Sequence, residues 1–238
     1  MTIHWLLLPA SSLPDGDDWL GSDEWEVFDE LKFPKRRSEW RLGRFVAKRA
    51  LATFMDIDDP ARIQIIAAKD GAPEAFIDGR KIDSSISISH RQDVAACAIA
   101  SEARVGCDLE AIEPRTSRFV EDFFTDRERA ALGRTPDEQR DRHVALTWSA
   151  KESALKALRV GLRRDTRSVE VGIEDPEAIA TAWHALNVTS RPENRRFRGW
   201  WRCETDLVLT LVCDDSVASG PSDQLNIARN RFFHRSTR

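Results

Sequence analysis

The order of apolar and polar positions along the chain marks a mixture of strands and helices. Ile3-His-Trp-Leu-Leu-Leu8 is a short apolar run and predicts a first strand over residues 2–8. A loop with Pro9, Pro14 and Gly16 follows, then a helix over 17–31 with Trp19, Leu20, Val27 and Leu31 on its apolar side. Helical spacing returns over 36–55, and residues 63–67 read as a strand. Asp70-Gly71-Ala72-Pro73 reads as a turn. Residues 86–89 and 94–100 read as paired strands with a polar turn between them, and 105–110 as a further strand. Helices are predicted in part of 117–132 and over 136–159. Thr135, Pro136 and Glu138 supply an N-cap, a first-turn proline and a capping box for the second of these. The remainder reads as strands at 169–172, 180–188, 199–203 and 207–213, then a polar, loosely held tail over 216–238.

Two segments carry candidate chemistry. In Val105-Gly-Cys-Asp-Leu-Glu110, strand alternation sends Val105, Cys107 and Leu109 to one face and Gly106, Asp108 and Glu110 to the other. At a rise of about 3.3 Å per residue, Asp108 and Glu110 then lie roughly 7 Å apart. One hard cation can bridge that gap; the bland alternative is an edge strand with two solvated acids. Gly106 leaves the same face bare for a close approach of backbone or ligand. In Trp148-Ser-Ala-Lys-Glu-Ser-Ala-Leu-Lys156, Glu152 and Lys156 are i and i+4 and share a helix face. Taken alone, that is an ordinary surface pair. Asp108, Glu110 and Glu152 together supply enough oxygen to hold a magnesium ion with positions left for water and phosphate.

Gly-x-Asp-x-Glu followed by Trp-x-x-Lys-Glu-x-x-x-Lys resembles the signature of the 4′-phosphopantetheinyl transferases. Phe123-Phe124-Thr-Asp-Arg-Glu128 lies between them as in that family. Ser87-Ile-Ser-His90 and the basic segment Lys35 to Lys48 complete the resemblance, which runs from about residue 35 to 158. It implies an α+β fold of two similar halves related by a pseudo-twofold axis, with the active site in the cleft between them. The halves are 1–103 and 104–215, followed by the tail. Trp40 and Lys48, echoed by Trp148 and Lys156, hint at the same duplication.

The resemblance also implies the reaction: transfer of the phosphopantetheine arm of coenzyme A to a serine of an acyl, polyketide or peptidyl carrier protein. Adenosine 3′,5′-bisphosphate is released. Asp108, Glu110 and Glu152 match the magnesium ligands, Glu152 is the candidate general base, and Lys156 stabilises charge on phosphoryl oxygens. Arg36, Arg44, Ser89, His90, Asp108 and Lys156 match positions that contact the coenzyme. Arg36 and Arg44, eight apart, share a helix face. Lys151 points about 100° away from Glu152 and is the weaker candidate. Two departures stand out. Ala72 replaces the cation of a Gly-Lys-Pro turn, with Lys69 the nearest substitute. Arg91 follows the histidine, either as a phosphate contact or facing solvent. Arg115 and Arg118 suit an acidic carrier, while at least two of Phe119, Phe123 and Phe124 belong to the core.

Bulk properties narrow the field further. At 238 residues the chain can bury a real core. With charged residues at 32% and a net charge of −4, it lacks the basic excess of a nucleic-acid binder. Cys97, Cys107, Cys203 and Cys213 show no zinc spacing and read as buried free thiols in a reducing compartment. The apolar start lacks a signal-peptide pattern, and no run reaches membrane-span length. The expectation is a cytoplasmic monomer with no nucleic-acid or membrane partner. Two other readings use the same residues: another magnesium-dependent phosphoryl-transfer enzyme, and a non-catalytic module that binds coenzyme A.

Overall fold

The computed structural model describes residues 2–174, 182–214 and 220–225. Eleven strands and five α-helices alternate along them. The first part contains β1 (His4–Pro9), α1 (Ser22–Glu30), α2 (Pro34–Met55), β2 (Ile63–Ala67), β3 (Pro73–Ile77), β4 (Arg80–Lys81), β5 (Ser85–Arg91) and β6 (Val94–Ala100). The second contains β7 (Val105–Ala111), α3 (Ser117–Phe123), α4 (Asp126–Leu132), α5 (Asp137–Ala157), β8 (Val169–Ile173), β9 (His184–Ser190), β10 (Arg195–Glu204) and β11 (Leu207–Asp214). Three antiparallel sheets result, ordered β1-β6-β5, β2-β3-β4 and β7-β11-β10-β9-β8. The order first strand, last strand, next-to-last strand thus recurs in the two parts.

Burial explains the layering. Leu42, Val46, Ala50 and Leu51 of α2 pack with Leu6, Ile86, Cys97 and Ile99 in one core. Ala150, Ala154 and Leu155 of α5 pack with Val171, Val188, Trp201 and Val212 in a second. A third core lies between the sheets, where Ile3, Trp5, Ala96 and Ala98 meet Cys107, Leu109, Leu209 and Leu211.

A buried ion pair occurs twice in the same setting. Glu24, in the first turn of α1, accepts from Gly21 N–H and Ile65 N–H at 3.0 and 2.9 Å and from Lys48 Nζ at 2.5 Å. Glu128, in the first turn of α4, accepts from Thr125 N–H and Val171 N–H at 2.7 and 2.8 Å, and lies 2.9 Å from Lys151 Nζ. All four charged side chains are almost wholly buried. Each carboxylate joins a helix start, a strand and a lysine of the next long helix, so its desolvation is offset by several partners. Lys48 thus shares its setting with Lys151, whereas the tryptophan–lysine spacing sets it against Lys156.

Other expectations need correction. The first helix begins at Ser22, because Gly21 is its N-cap and Trp19 and Leu20 are buried ahead of it. Its buried residues are Glu24 and Phe28, and Val27 is exposed. Thr135 does not cap α5: its hydroxyl meets Ala131 O and His143 Nδ1, and Pro136 occupies the cap without a side-chain bond. The hairpin β3–β4 was not expected, although Asp78 and Gly79 (φ 50° and 74°) are the residues such a two-residue turn favours. Cys203 is half-buried, whereas Cys97, Cys107 and Cys213 are buried, and all four are free. In the predicted tail, residues 220–225 lie along β1: Ser222 N–H and Leu225 N–H donate to Ile3 O and Trp5 O at 2.9 and 3.0 Å. Residues 216–219 and 226–238 fall outside the described residues, as do 180–181 of the expected strand. Among the described residues no helix is long and apolar enough to cross a membrane.

Candidate active site

Every residue of β7 is buried, because it lies between a sheet core on one side and α5 on the other. Helix and strand touch backbone to backbone at Gly106, where a Cβ would stand 1.8 Å from Ser153 O. Only glycine admits that approach. It brings the helix close enough for Ser149 Oγ to donate to Asp108 O at 3.2 Å and for Ser149 and Ser153 to reach Thr210 Oγ1 at 2.8 and 2.7 Å.

One turn beyond Gly106's contact, Lys156 reaches back across β7. Its Nζ donates to Asp108 Oδ1 at 2.7 Å, Cys107 O at 3.1 Å and Ser89 Oγ at 3.2 Å, with Glu152 Oε2 at 4.0 Å. Ser89 in turn donates to Asp108 Oδ1 at 2.9 Å. Burial alone would lower the lysine's pKa, but Asp108 and Glu152 outweigh it and hold the ammonium charged. Asp108 Oδ2 is buried and receives no donor. Burial lifts the pKa of Glu152 to about 7, helped by repulsion from Asp108 and Glu110 and opposed by Lys156.

Glu110 is placed differently. Its Oε1 accepts from Arg115 at 2.7 Å, and Arg91 stands 3.3 Å away. Burial raises its pKa despite both arginines. Arg91 also pairs with Glu113 at 2.8 Å, so its guanidinium is held by two acids and does not simply face solvent. Among the described residues no three His, Cys, Asp or Glu side chains form a ready-made metal cage. The donors are nonetheless those of a hard cation: carboxylate oxygens, one of them orphaned, and an acid held half-protonated near neutrality. These features fit a magnesium ion.

His90 lies next to Ser89 on the α2 side of β5. Burial lowers its pKa, and Glu39, Lys156, Asp108 and Arg36 all act on it. Arg36 is exposed near it; Arg44 instead stacks 4.8 Å over Trp40, and its charged neighbour is Glu24. The structure thus gathers Ser89, His90, Asp108, Glu152 and Lys156, sets Glu110 beside two arginines, and leaves Arg44 against α1. Lys151 sits in the buried pair with Glu128, donating to Thr166 O and Val169 O as well. Phe124 is buried, Phe119 packs against its core, and Phe123 is partly exposed.

A cavity of about 900 Å³ opens beside the cluster. Lys156 and the Asp70–Glu74 turn both line it. Lys69 is exposed. Arg159 grips this turn, pairing with Asp70 at 2.8 and 3.0 Å and Glu74 at 2.9 Å, with Arg163 on Asp70 O and Lys81 on Glu74, each at 2.9 Å. Arg159 takes a left-handed backbone (φ 60°) just past the end of α5. No sequence signal marks Arg159, whose partners lie far away in the chain, and Arg115, expected to meet a carrier, instead pairs with Glu110.

The profile of the 4′-phosphopantetheinyl transferase superfamily matches residues 104–212. The chain is 28% identical over 188 residues to 4′-phosphopantetheinyl transferase HetI of Nostoc sp., a match covering 76% of this chain and 78% of that protein. It is 33% identical over 135 residues to the 4′-phosphopantetheinyl transferase of Bacillus subtilis, covering 56% of this chain and 58% of that one. It is 28% identical over 123 residues to AcpT of Salmonella typhimurium, covering 51% and 58%. The solved structure of Thermotoga maritima holo-(acyl-carrier-protein) synthase, 17% identical, aligns with 52% of this chain and 74% of that chain at a TM-score of 0.32.

Proposed function

Because the chain belongs to the 4′-phosphopantetheinyl transferase superfamily, we propose that it moves the 4′-phosphopantetheine arm of coenzyme A to a serine hydroxyl of an apo carrier protein. The carrier is an acyl, polyketide or peptidyl one, and adenosine 3′,5′-bisphosphate leaves. The observation that carries this reading is the grouping of Ser89, Asp108 and Glu152 around Lys156, which lines a cavity large enough for an extended ligand.

In this reading the serine oxygen bonds to the phosphorus that bears pantetheine, and the bond to the bridging pyrophosphate oxygen breaks. Glu152 takes the serine proton. In the metal-free protein its carboxyl stands at about 7, and a bound cation would favour the ionised form that accepts a proton. Lys156, kept charged by Asp108, sets positive charge beside the phosphoryl oxygens. Asp108, Glu110 and Glu152 would hold magnesium, with Arg115 and Arg91 yielding Glu110. When bound, the ion supplies positive charge against the coenzyme's pyrophosphate. Arg36 and His90 would take the adenosine end; Arg44 would have to leave Trp40 and Glu24 to join them, and Ser89 acts there through Asp108 and Lys156.

The two parts of the chain, 1–103 and 104–215, act as halves related by a pseudo-twofold axis, with the site in the cleft between them. The repeated buried glutamate–lysine unit and the repeated strand order support this. A single copy would then suffice, acting in the cytoplasm.

The test is to incubate the protein with magnesium, coenzyme A and an apo carrier and weigh the carrier. The reading predicts a gain of one phosphopantetheine arm, lost in Asp108→Ala while the fold survives. Nucleotide turnover with an unmodified carrier, or transfer surviving Asp108→Ala, would contradict it.

A further inference from the structure

Strand β7 has two edges, and they are satisfied in different ways. One pairs with the backbone of β11, Asp108 standing opposite Thr210. On the other, three N–H groups donate to side chains. Val105, Cys107 and Leu109 N–H reach Ser85, Ser87 and Ser89 Oγ at 3.1, 2.9 and 3.1 Å. The backbone of β5, which carries these serines, pairs along one edge with β6 and forms no ladder with β7. Both strands therefore advance two residues per rung, and alternate hydroxyls on one face of β5 replace a missing backbone ladder.

Ser89 closes this ladder at the site. A hydroxyl has one proton to give and two lone pairs. Ser89 gives its proton to Asp108 Oδ1 and accepts from Leu109 N–H and Lys156 Nζ. Its capacity is filled, so it bears on a bound coenzyme through Asp108 and Lys156. Ser87 is 3% exposed and touches neither Asp108 nor Lys156 in these bonds. It grips the amide just before Asp108, and its own carbonyl accepts from Cys107 Sγ at 3.1 Å.

We infer that Ser87 is a positioning residue: with Ser85 and Ser89 it forms a hydroxyl ladder that sets the height of β7, and so the aim of Asp108 at Lys156 and Glu152. The inference rests on the transferase reading for its kinetic consequence, but the ladder can be tested without it. Removing the Ser87 hydroxyl leaves the Cys107 N–H buried without an acceptor, and the strand must shift or admit water.

The experiment compares Ser87→Ala with Ser87→Thr, which keeps an oxygen at the same place. Amide hydrogen exchange is followed at Cys107, and steady-state transfer to an apo carrier is measured alongside. Cys107 should exchange faster in Ser87→Ala and not in Ser87→Thr. In Ser87→Ala, kcat should fall on the order of 10–100-fold, as for lost outer partners of a ligand, with a much smaller change in KM for coenzyme A and with recovery in Ser87→Thr. Ser85→Ala, read at the Val105 amide, repeats the exchange test at the less buried end if Ser87→Ala does not fold. Unchanged Cys107 protection, or Ser87→Ala turning over like the parent, would overturn the inference. A parent protein that leaves carriers unmodified would sink the transferase reading instead, and the exchange arm would still decide the ladder.

Discussion

Replacing Glu152 by glutamine isolates the electrostatic claim most cleanly. Glu152 is 22% exposed at its side chain, and its pKa stands at about 7 against an ordinary 4.5. The folded form therefore holds a proton that the unfolded chain has already lost between those two values. The sign follows: stability attributable to this group is full below about pH 4.5 and falls as pH rises toward 7. At about 1.4 kcal/mol per pH unit over 2.5 units, the loss is of order 3 kcal/mol. His143 acts oppositely in the same window, because burial lowers its pKa from 6.5 to about 4 and stability rises as the unfolded form loses its proton. The comparison must therefore be between the parent and Glu152→Gln, in which the histidine contribution cancels. Urea unfolding at pH 5, 6, 7 and 8, with a chelator present, gives both curves. Glu152→Gln should gain on the parent steadily from pH 5 to 7. Parallel curves would refute the reasoning that Glu152 faces other carboxylates in a partly dry site.

Lys151→Met should cost about 3–5 kcal/mol in urea unfolding, because Glu128 is left buried and unpaired; a loss under 1 kcal/mol would show the pair to be dispensable. Gly106→Ala should destabilise by at least the roughly 1–3 kcal/mol of an overpacked core, since its methyl would meet the Ser153 carbonyl. A thermal midpoint matching the parent would contradict the close strand–helix contact. Arg159→Ala loosens the Asp70–Glu74 turn that walls the cavity, leaving it to Arg163 and Lys81; KM for coenzyme A should rise more than kcat falls, and Arg159→Lys, lacking the two-point grip, should not restore it.

What local chemistry could reveal was largely legible. The β2 strand matches its predicted span, and α5 differs by one residue at its start and two at its end, because apolar spacing records which face is buried. Asp108, Glu152 and Lys156 were found through a known pattern and the i, i+4 rule, and they do meet. Long-range pairings were not legible. Glu24 looks like a surface acid until Ile65 and Lys48 close on it from elsewhere in the chain. The tryptophan–lysine spacing likewise does not reveal that Lys48 and Lys151 each pair with a buried glutamate. Alternating serines in β5 are visible as a pattern, yet their partners on β7 depend on two strands lying side by side without a ladder. Arg91 illustrates the limit at the site itself: its partners, Glu110 and Glu113, follow from the turn of the chain after β7.

The central claim is that Asp108, Glu110 and Glu152 act through one shared cation. Calorimetric titration of magnesium into the coenzyme-loaded protein tests it directly, with Asp108→Ala and Glu152→Gln as controls. One ion should bind per chain in the parent, and each substitution should abolish or greatly weaken that binding. Equal magnesium binding by the parent and both variants would contradict the account.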